Sequence, residues 1–108
     1  MIKLPACPVE MTLQIMGTRW KILIIRDLLD GTKRFGELKT SLDGITQKVL
    51  TSNLRSLEEN DIISREVFAT VPVKVEYSLT ELGKSLSLVL DSMREWGKTY
   101  KVNLAEEV

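Results

Sequence analysis

The chain has no histidine, a single cysteine and no net charge. Without histidine it lacks the commonest general base and the commonest transition-metal ligand. One cysteine, Cys7, cannot build an intramolecular disulfide framework, which fits a reducing, cytoplasmic setting. No run of about eighteen apolar residues occurs, so no segment is expected to span a membrane. The first residues hold one lysine, Lys3, and no long apolar block before a small-residue cleavage site, so no secretory signal is expected. There is no glycine-rich phosphate loop and no set of carboxylates at ligand spacing, so nothing supports an enzyme, a bound metal or a cofactor. Repeats, linkers and low-complexity segments are also missing. At 108 residues the chain reads as one domain, 1–108, long enough for a compact core and small enough to gain from dimerisation.

Zero net charge argues at first against nucleic acid, but the charges are unevenly placed. Gly17 to Leu57 holds eight basic against four acidic residues, whereas Glu58 to the end holds six basic against ten acidic. The local field around the first of these segments, rather than net charge, would steer a polyanion.

That basic segment contains Gly44-Ile-Thr-Gln-Lys-Val-Leu-Thr-Ser-Asn-Leu-Arg-Ser-Leu-Glu58. Ile45, Leu50, Leu54 and Leu57 supply an apolar side, the last three at i, i+4, i+7. At about 100° per residue, Lys48, Ser52 and Arg55 fall together on the other side, with Gln47 and Thr51 on its shoulder. Amide, hydroxyl and positive charge are the groups that read base edges and grip phosphates. A helix from about Thr46 to Glu59 with such a face is a candidate recognition helix.

Its surroundings fit one architecture. Cys7-Pro8 opens a short helix to Met16, with Val9, Leu13 and Met16 as its stripe. Gly17 ends it, and Thr18 caps a largely apolar helix from about Arg19 to Asp30, expected at the centre of the core. A third helix spans roughly Phe35 to Leu42, with Phe35, Leu38 and Leu42 inward, and Asp43-Gly44 makes a tight turn. Residues 35–59 therefore read as a helix-turn-helix. Ile63–Ala69 and Val73–Leu79 are rich in β-branched and aromatic residues around Thr70-Val-Pro72, so 63–80 reads as a hairpin wing. Thr80 caps a long final helix over 81–101. Its apolar positions Leu82, Leu86, Val89, Met93, Trp96 and Tyr100 are spaced 4, 3, 4, 3, 4, a seam suited to another helix. The fold class expected is mainly α with a small β-hairpin wing (α+β).

With these elements placed, the sequence resembles the HxlR family of bacterial winged-helix transcription regulators, relatives of the MarR-type regulators. The residues that carry the resemblance are Cys7-Pro8, Gly17-Thr-Arg-Trp-Lys-Ile-Leu-Ile-Ile25, Arg34-Phe-Gly-Glu-Leu38, Ile45 to Glu58, and Val71-Pro-Val-Lys-Val-Glu-Tyr-Ser-Leu-Thr-Glu-Leu-Gly83. The resemblance implies a homodimer on a pseudo-palindromic operator, with the N-terminal (8–16) and C-terminal (81–101) helices forming the dimer interface. Two recognition helices would then sit about 34 Å apart in successive major grooves of double-stranded DNA.

The candidate DNA-binding residues are Arg34, Thr46, Gln47, Lys48, Thr51, Ser52, Arg55 and Lys74. Gln47 suits an adenine, and Arg55 or Lys48 a guanine or a phosphate. Lys33, Arg34 and Lys39 flank the helix-turn-helix as candidate phosphate contacts, and Lys74 near the hairpin tip is placed for the minor groove or flanking backbone. Each has the plainer reading of solvated surface charge. Trp20 and Trp96 lie on apolar stripes and read as packing residues, and Met11, Met16 and Met93 as core or interface filler. Cys7 falls at a helix N-cap, an electropositive place for a nucleophilic sulfur. In the resembled family a cysteine here is frequent, and some members use it to sense electrophiles, quinones or oxidants. The plainer reading is a small, semi-buried residue near the interface. The function expected is a transcription regulator, open to a small-molecule or oxidant effector. The alternative is a winged-helix module for protein contacts alone, which would call for a more apolar recognition face than this one.

Overall fold

A computed structural model describes residues 4–106. The ends of the 1–108 span, with Lys3 and Glu107 of the charge count, lie outside the described residues.

Pro8 pre-sets the first turn of α1 (Pro8–Met16), after Cys7 in extended conformation at the N-cap. Only Met16 of the expected stripe is buried; Val9 and Leu13 are exposed. In α2 (Arg19–Leu29) the Thr18 hydroxyl accepts the Lys21 amide at 3.0 Å, satisfying one of the unpaired N–H groups of the first turn. Ile24, Ile25 and Leu28 are buried, and the helix packs against three other helices and the sheet, so it is the central one. A two-residue strand β1 (Lys33–Arg34) leads straight into α3 (Phe35–Ser41), which buries Leu38 and leaves Leu42 buried just beyond its end. Gly44, at φ +87°, takes the left-handed conformation that the turn requires and that a side chain would strain. Then comes α4 (Gln47–Glu59), whose Leu50, Leu54 and Leu57 face the core with Ile45. It ends with Asp61 at φ +59°, the Ile62 amide reaching the Leu57 carbonyl and the Asp61 amide that of Glu58. That is a Schellman stop with aspartate where glycine is usual.

The hairpin is β2 (Ile63–Phe68) and β3 (Lys74–Leu79), each one residue shorter at the tip than the sequence pattern indicates. Its register runs from Ile63 opposite Leu79 to Phe68 opposite Lys74. β1 joins the other edge of β3, giving a three-stranded antiparallel sheet of order β1-β3-β2. The third strand was not legible, because two residues carry no alternation to read.

The single helix expected over 81–101 is two helices, α5 (Glu81–Lys84) and α6 (Ser87–Glu106). The Thr80 hydroxyl bonds the carbonyls of Asp61 and Ile62, and a Cβ on Gly83 would collide with the Ile62 carbonyl oxygen. The first turn is thus fixed against the end of β2. The Ser85 hydroxyl donates to the Leu82 carbonyl, and the Leu86 amide reaches back only three residues, to Gly83. These shorter bonds turn the chain so that α6 crosses α2. The expected seam is redistributed accordingly. Leu86 and Val89 pack partly on the core, Leu90 is the buried residue, and Leu82, Met93, Trp96 and Tyr100 are exposed. From Asp91 to Ala105 every residue is exposed except half-buried Gly97, so the C-terminal half of α6 leaves the body of the fold. Trp96 stacks on Tyr100 with ring centroids 5.2 Å apart, whereas Trp20 does pack on the core, with the Arg19 guanidinium over its ring.

Candidate nucleic-acid interface

The face of α4 that turns away from the core carries Gln47, Lys48, Ser52 and Arg55 exposed, with Thr51 half-buried beside them. Five of the eight expected residues therefore stand on one surface, with Ser56 and Glu59, around an open depression of about 790 Å³. No charge within the helix opposes Lys48 and Arg55 until Glu58, so the first three turns offer donors to an anion. The apolar side, Leu50, Leu54 and Leu57, is fully anchored, so α4 presents this face as a rigid unit. Asn53 strengthens the anchor. Its side-chain amide donates to the Val49 carbonyl at 2.8 Å and its carbonyl accepts the Thr18 hydroxyl at 2.8 Å.

The other three expected residues are placed differently. Thr46 is the N-cap of α4, its hydroxyl accepting the Val49 amide at 3.2 Å. It thus fixes the start of α4, at the edge of the face. Arg34 lies outside the cluster: it is an exposed strand residue opposite Glu76, its amide bonded to Glu37, beside a shallow depression with Gly36 and Thr40. Lys74 is turned inward along the hairpin, 3.6 Å from the Glu76 carboxylate and 4.4 Å from the centre of the Phe68 ring. Glu76, two residues along the same strand, shares a face with Lys74 by alternation alone, whereas Phe68 becomes its neighbour only through the strand register. The hairpin tip itself, residues 69–73, carries no charge, and Val71 stands fully exposed.

Two residues beside α4 escaped the sequence reading. Arg65 and Tyr77 are opposite each other in the hairpin and face the second half of α4 across a cleft of about 460 Å³. Burial raises the Tyr77 phenol above its ordinary pKa, with Arg65 and Arg55 pulling it down and Glu58 pushing it up. The signal was available. Arg65 shares the strand face of Ile63, where alternation calls for an apolar side chain.

Cys7 is exposed, and among the described residues it makes no side-chain hydrogen bond at its cap position. No three histidine, cysteine, aspartate or glutamate side chains among the described residues are grouped to hold a metal, and no described helix is long and apolar enough to cross a membrane.

Comparison with known proteins agrees with this architecture. The HxlR-like helix-turn-helix family matches residues 15–104. The uncharacterized HTH-type transcriptional regulator YdeP of Bacillus subtilis (strain 168) is 50% identical over 95 residues, covering 88% of this chain and 74% of its own. The redox regulator HypR in its reduced form superposes with a TM-score of 0.86 at 44% identity, over 93% of this chain and 99% of that one. Its oxidized form gives 0.81 at 47% identity, over 86% and 96%. A mainly α body with a hairpin wing, an anchored polar helix face and a family match along most of its length together place this chain in the HxlR-like helix-turn-helix family of DNA-binding transcription regulators.

Proposed function

We propose that the protein is a homodimeric, sequence-specific regulator that reads a pseudo-palindromic operator with α4 in the major groove. The observation that carries this reading is the single polar face of Gln47, Lys48, Thr51, Ser52 and Arg55, held outward by a buried leucine side. Residues 35–59 act as the helix-turn-helix and 63–80 as the wing, while 8–16 and 81–101 form the dimer interface. Support for the last part comes from the apolar residues left exposed on those segments: Val9, Leu13, Met93, Trp96 and Tyr100. A two-fold axis through them would set two copies of α4 about one helical turn of DNA apart.

Oxidants or electrophiles act through Cys7 in this reading. HypR, 44% identical, is a redox regulator whose structure is known reduced and oxidized, and the Cys7 sulfur here is exposed at a helix start. With one cysteine per chain, oxidation joins two protomers or a protomer and a small thiol. The test is selection of duplexes from a random-sequence pool by the purified protein, followed by binding measurements before and after diamide. A single enriched inverted repeat, bound by a dimer, supports the operator reading; an unenriched pool sinks it. A cross-linked dimer on a non-reducing gel together with altered affinity supports the Cys7 reading, and unchanged Cys7 accessibility and affinity remove it.

A further inference from the structure

We infer that the cleft between α4 and the hairpin is a seat for the DNA backbone, with Arg65 and the Tyr77 hydroxyl as phosphate contacts. The inference rests on the reading of α4 as the major-groove helix. In a duplex, the major groove and the next minor groove are separated by one sugar-phosphate strand. A body that lays α4 in the first and its hairpin against the second must straddle that strand. The gap it leaves is the cleft, walled by Thr51, Arg55 and Glu58 on the helix and by Arg65 on the hairpin, over Leu54 and Tyr77.

The residues suit a phosphodiester. Arg65 stands on the strand face of Ile63, Tyr77 and Leu79 and lines the gap, with its side chain still open to solvent. Among the described residues its ionic partner is Glu58, met through Nε at 3.8 Å, with the two side chains 48% and 40% exposed. That contact is too long for a hydrogen bond, and such half-exposed pairs are weak. The guanidinium fork is therefore available for two bonds to a phosphate. Arg55 borders both this cleft and the reading face, and so lies at the corner where the backbone leaves the groove. Glu58 and Glu59 are the opposing charges. Glu58 is the carboxylate near Arg65 when DNA is absent, and it opposes the phosphate when DNA is present.

This assignment gives opposite signs to two variants that break the same ion pair. Binding is measured against salt on a duplex selected by the wild-type protein and on a random-sequence duplex of equal length. Arg65→Ala lowers affinity for both duplexes alike and reduces the log–log salt slope by about 0.9. Glu58→Gln raises affinity for both, and Arg65→Lys, which keeps the charge, keeps the slope. Tyr77→Phe weakens binding without changing the slope, since the hydroxyl carries no charge. If Arg65 serves only to hold Glu58 in the fold, Arg65→Ala and Glu58→Gln shift binding in the same direction or leave it unchanged, and the proposal is overturned. Wild-type protein that binds no duplex would instead remove the operator reading, and this proposal with it.

Discussion

The hydroxyl of Thr18 donates a 2.8 Å hydrogen bond to Oδ1 of Asn53, thirty-five residues away. It ties the start of α2, directly after α1, to the middle of α4. The same hydroxyl caps α2 and the same asparagine side chain bonds the Val49 carbonyl, so each residue does local and long-range work at once. Because Asn53 is 9% exposed, the loss of either partner leaves a polar group under-satisfied where water has little access. Thr18→Ala and Asn53→Ala should each destabilise the fold by about 1–3 kcal/mol in urea denaturation. The double variant should lose less than the sum, by roughly 0.5 kcal/mol or more. Strict additivity would show the bond contributes nothing.

Most of the architecture was legible because it rests on periodicity. The i, i+4, i+7 leucines of α4, the glycine after α1 and the β-branched run after Asp61 each fixed an element from local sequence alone. What was not legible depends on partners distant in sequence. Asn53 looks like another exposed polar residue until Thr18 is brought beside it. The Phe68 ring meets Lys74 only once the hairpin register sets the two residues opposite each other. The heptad-like spacing through Leu82 to Tyr100 is real, yet the sheet end captures its first turn and bends the chain after Lys84.

Gly83 is the point of that capture. A Cβ there meets the backbone of Ile62 rather than a flexible side chain, so the clash cannot be relieved by a rotamer change. Gly83→Ala should therefore destabilise the protein, by about 1–3 kcal/mol, even though alanine is the better helix former. A thermal melt equal to or above that of wild type would show that α5 is free to move off β2.

Tyr77 makes stability fall at alkaline pH. Burial at 8% exposure raises its phenol above the ordinary value near 10, so the folded protein keeps this proton after the unfolded chain has begun to lose it. The unfolded state then binds fewer protons, and unfolding free energy decreases with pH. The contribution is complete below about pH 10 and is lost as pH climbs from there through the folded pKa. Tyr77→Phe should flatten this part of the profile in urea titrations at several alkaline pH values. An unchanged slope would place the alkaline loss elsewhere.

On the α4 face proposed to read DNA, Gln47 and Arg55 are expected to separate specificity from general affinity. Gln47→Ala should weaken the selected duplex by about 1–3 kcal/mol and leave a random duplex almost unaffected, since an amide reads a base edge and neutralises no phosphate. Arg55 lies where both roles meet, so Arg55→Ala should weaken the selected duplex by a similar roughly 1–3 kcal/mol and the random one as well. A gel-shift midpoint unchanged in Arg55→Ala would take it off the contact surface.

The C-terminal half of α6 sets the last expectation. Met93, Trp96, Tyr100 and Leu104, on one side of this half-helix, are all at least 46% exposed. Isolated apolar side chains on a surface are ordinary, but a continuous set on a projecting helix marks an interaction site. The Trp96–Tyr100 stack provides a flat aromatic surface at its centre, and Val9 and Leu13 of α1 add apolar surface of their own. Trp96→Glu places a charge on that surface without touching the core. The wild-type protein should sediment as a dimer and the variant as a monomer, with a melting temperature that no longer rises with protein concentration. Affinity for an inverted repeat should fall towards that for a single half-site, because two reading helices then bind independently. If Trp96→Glu sediments with the wild type, this face is not where two copies meet.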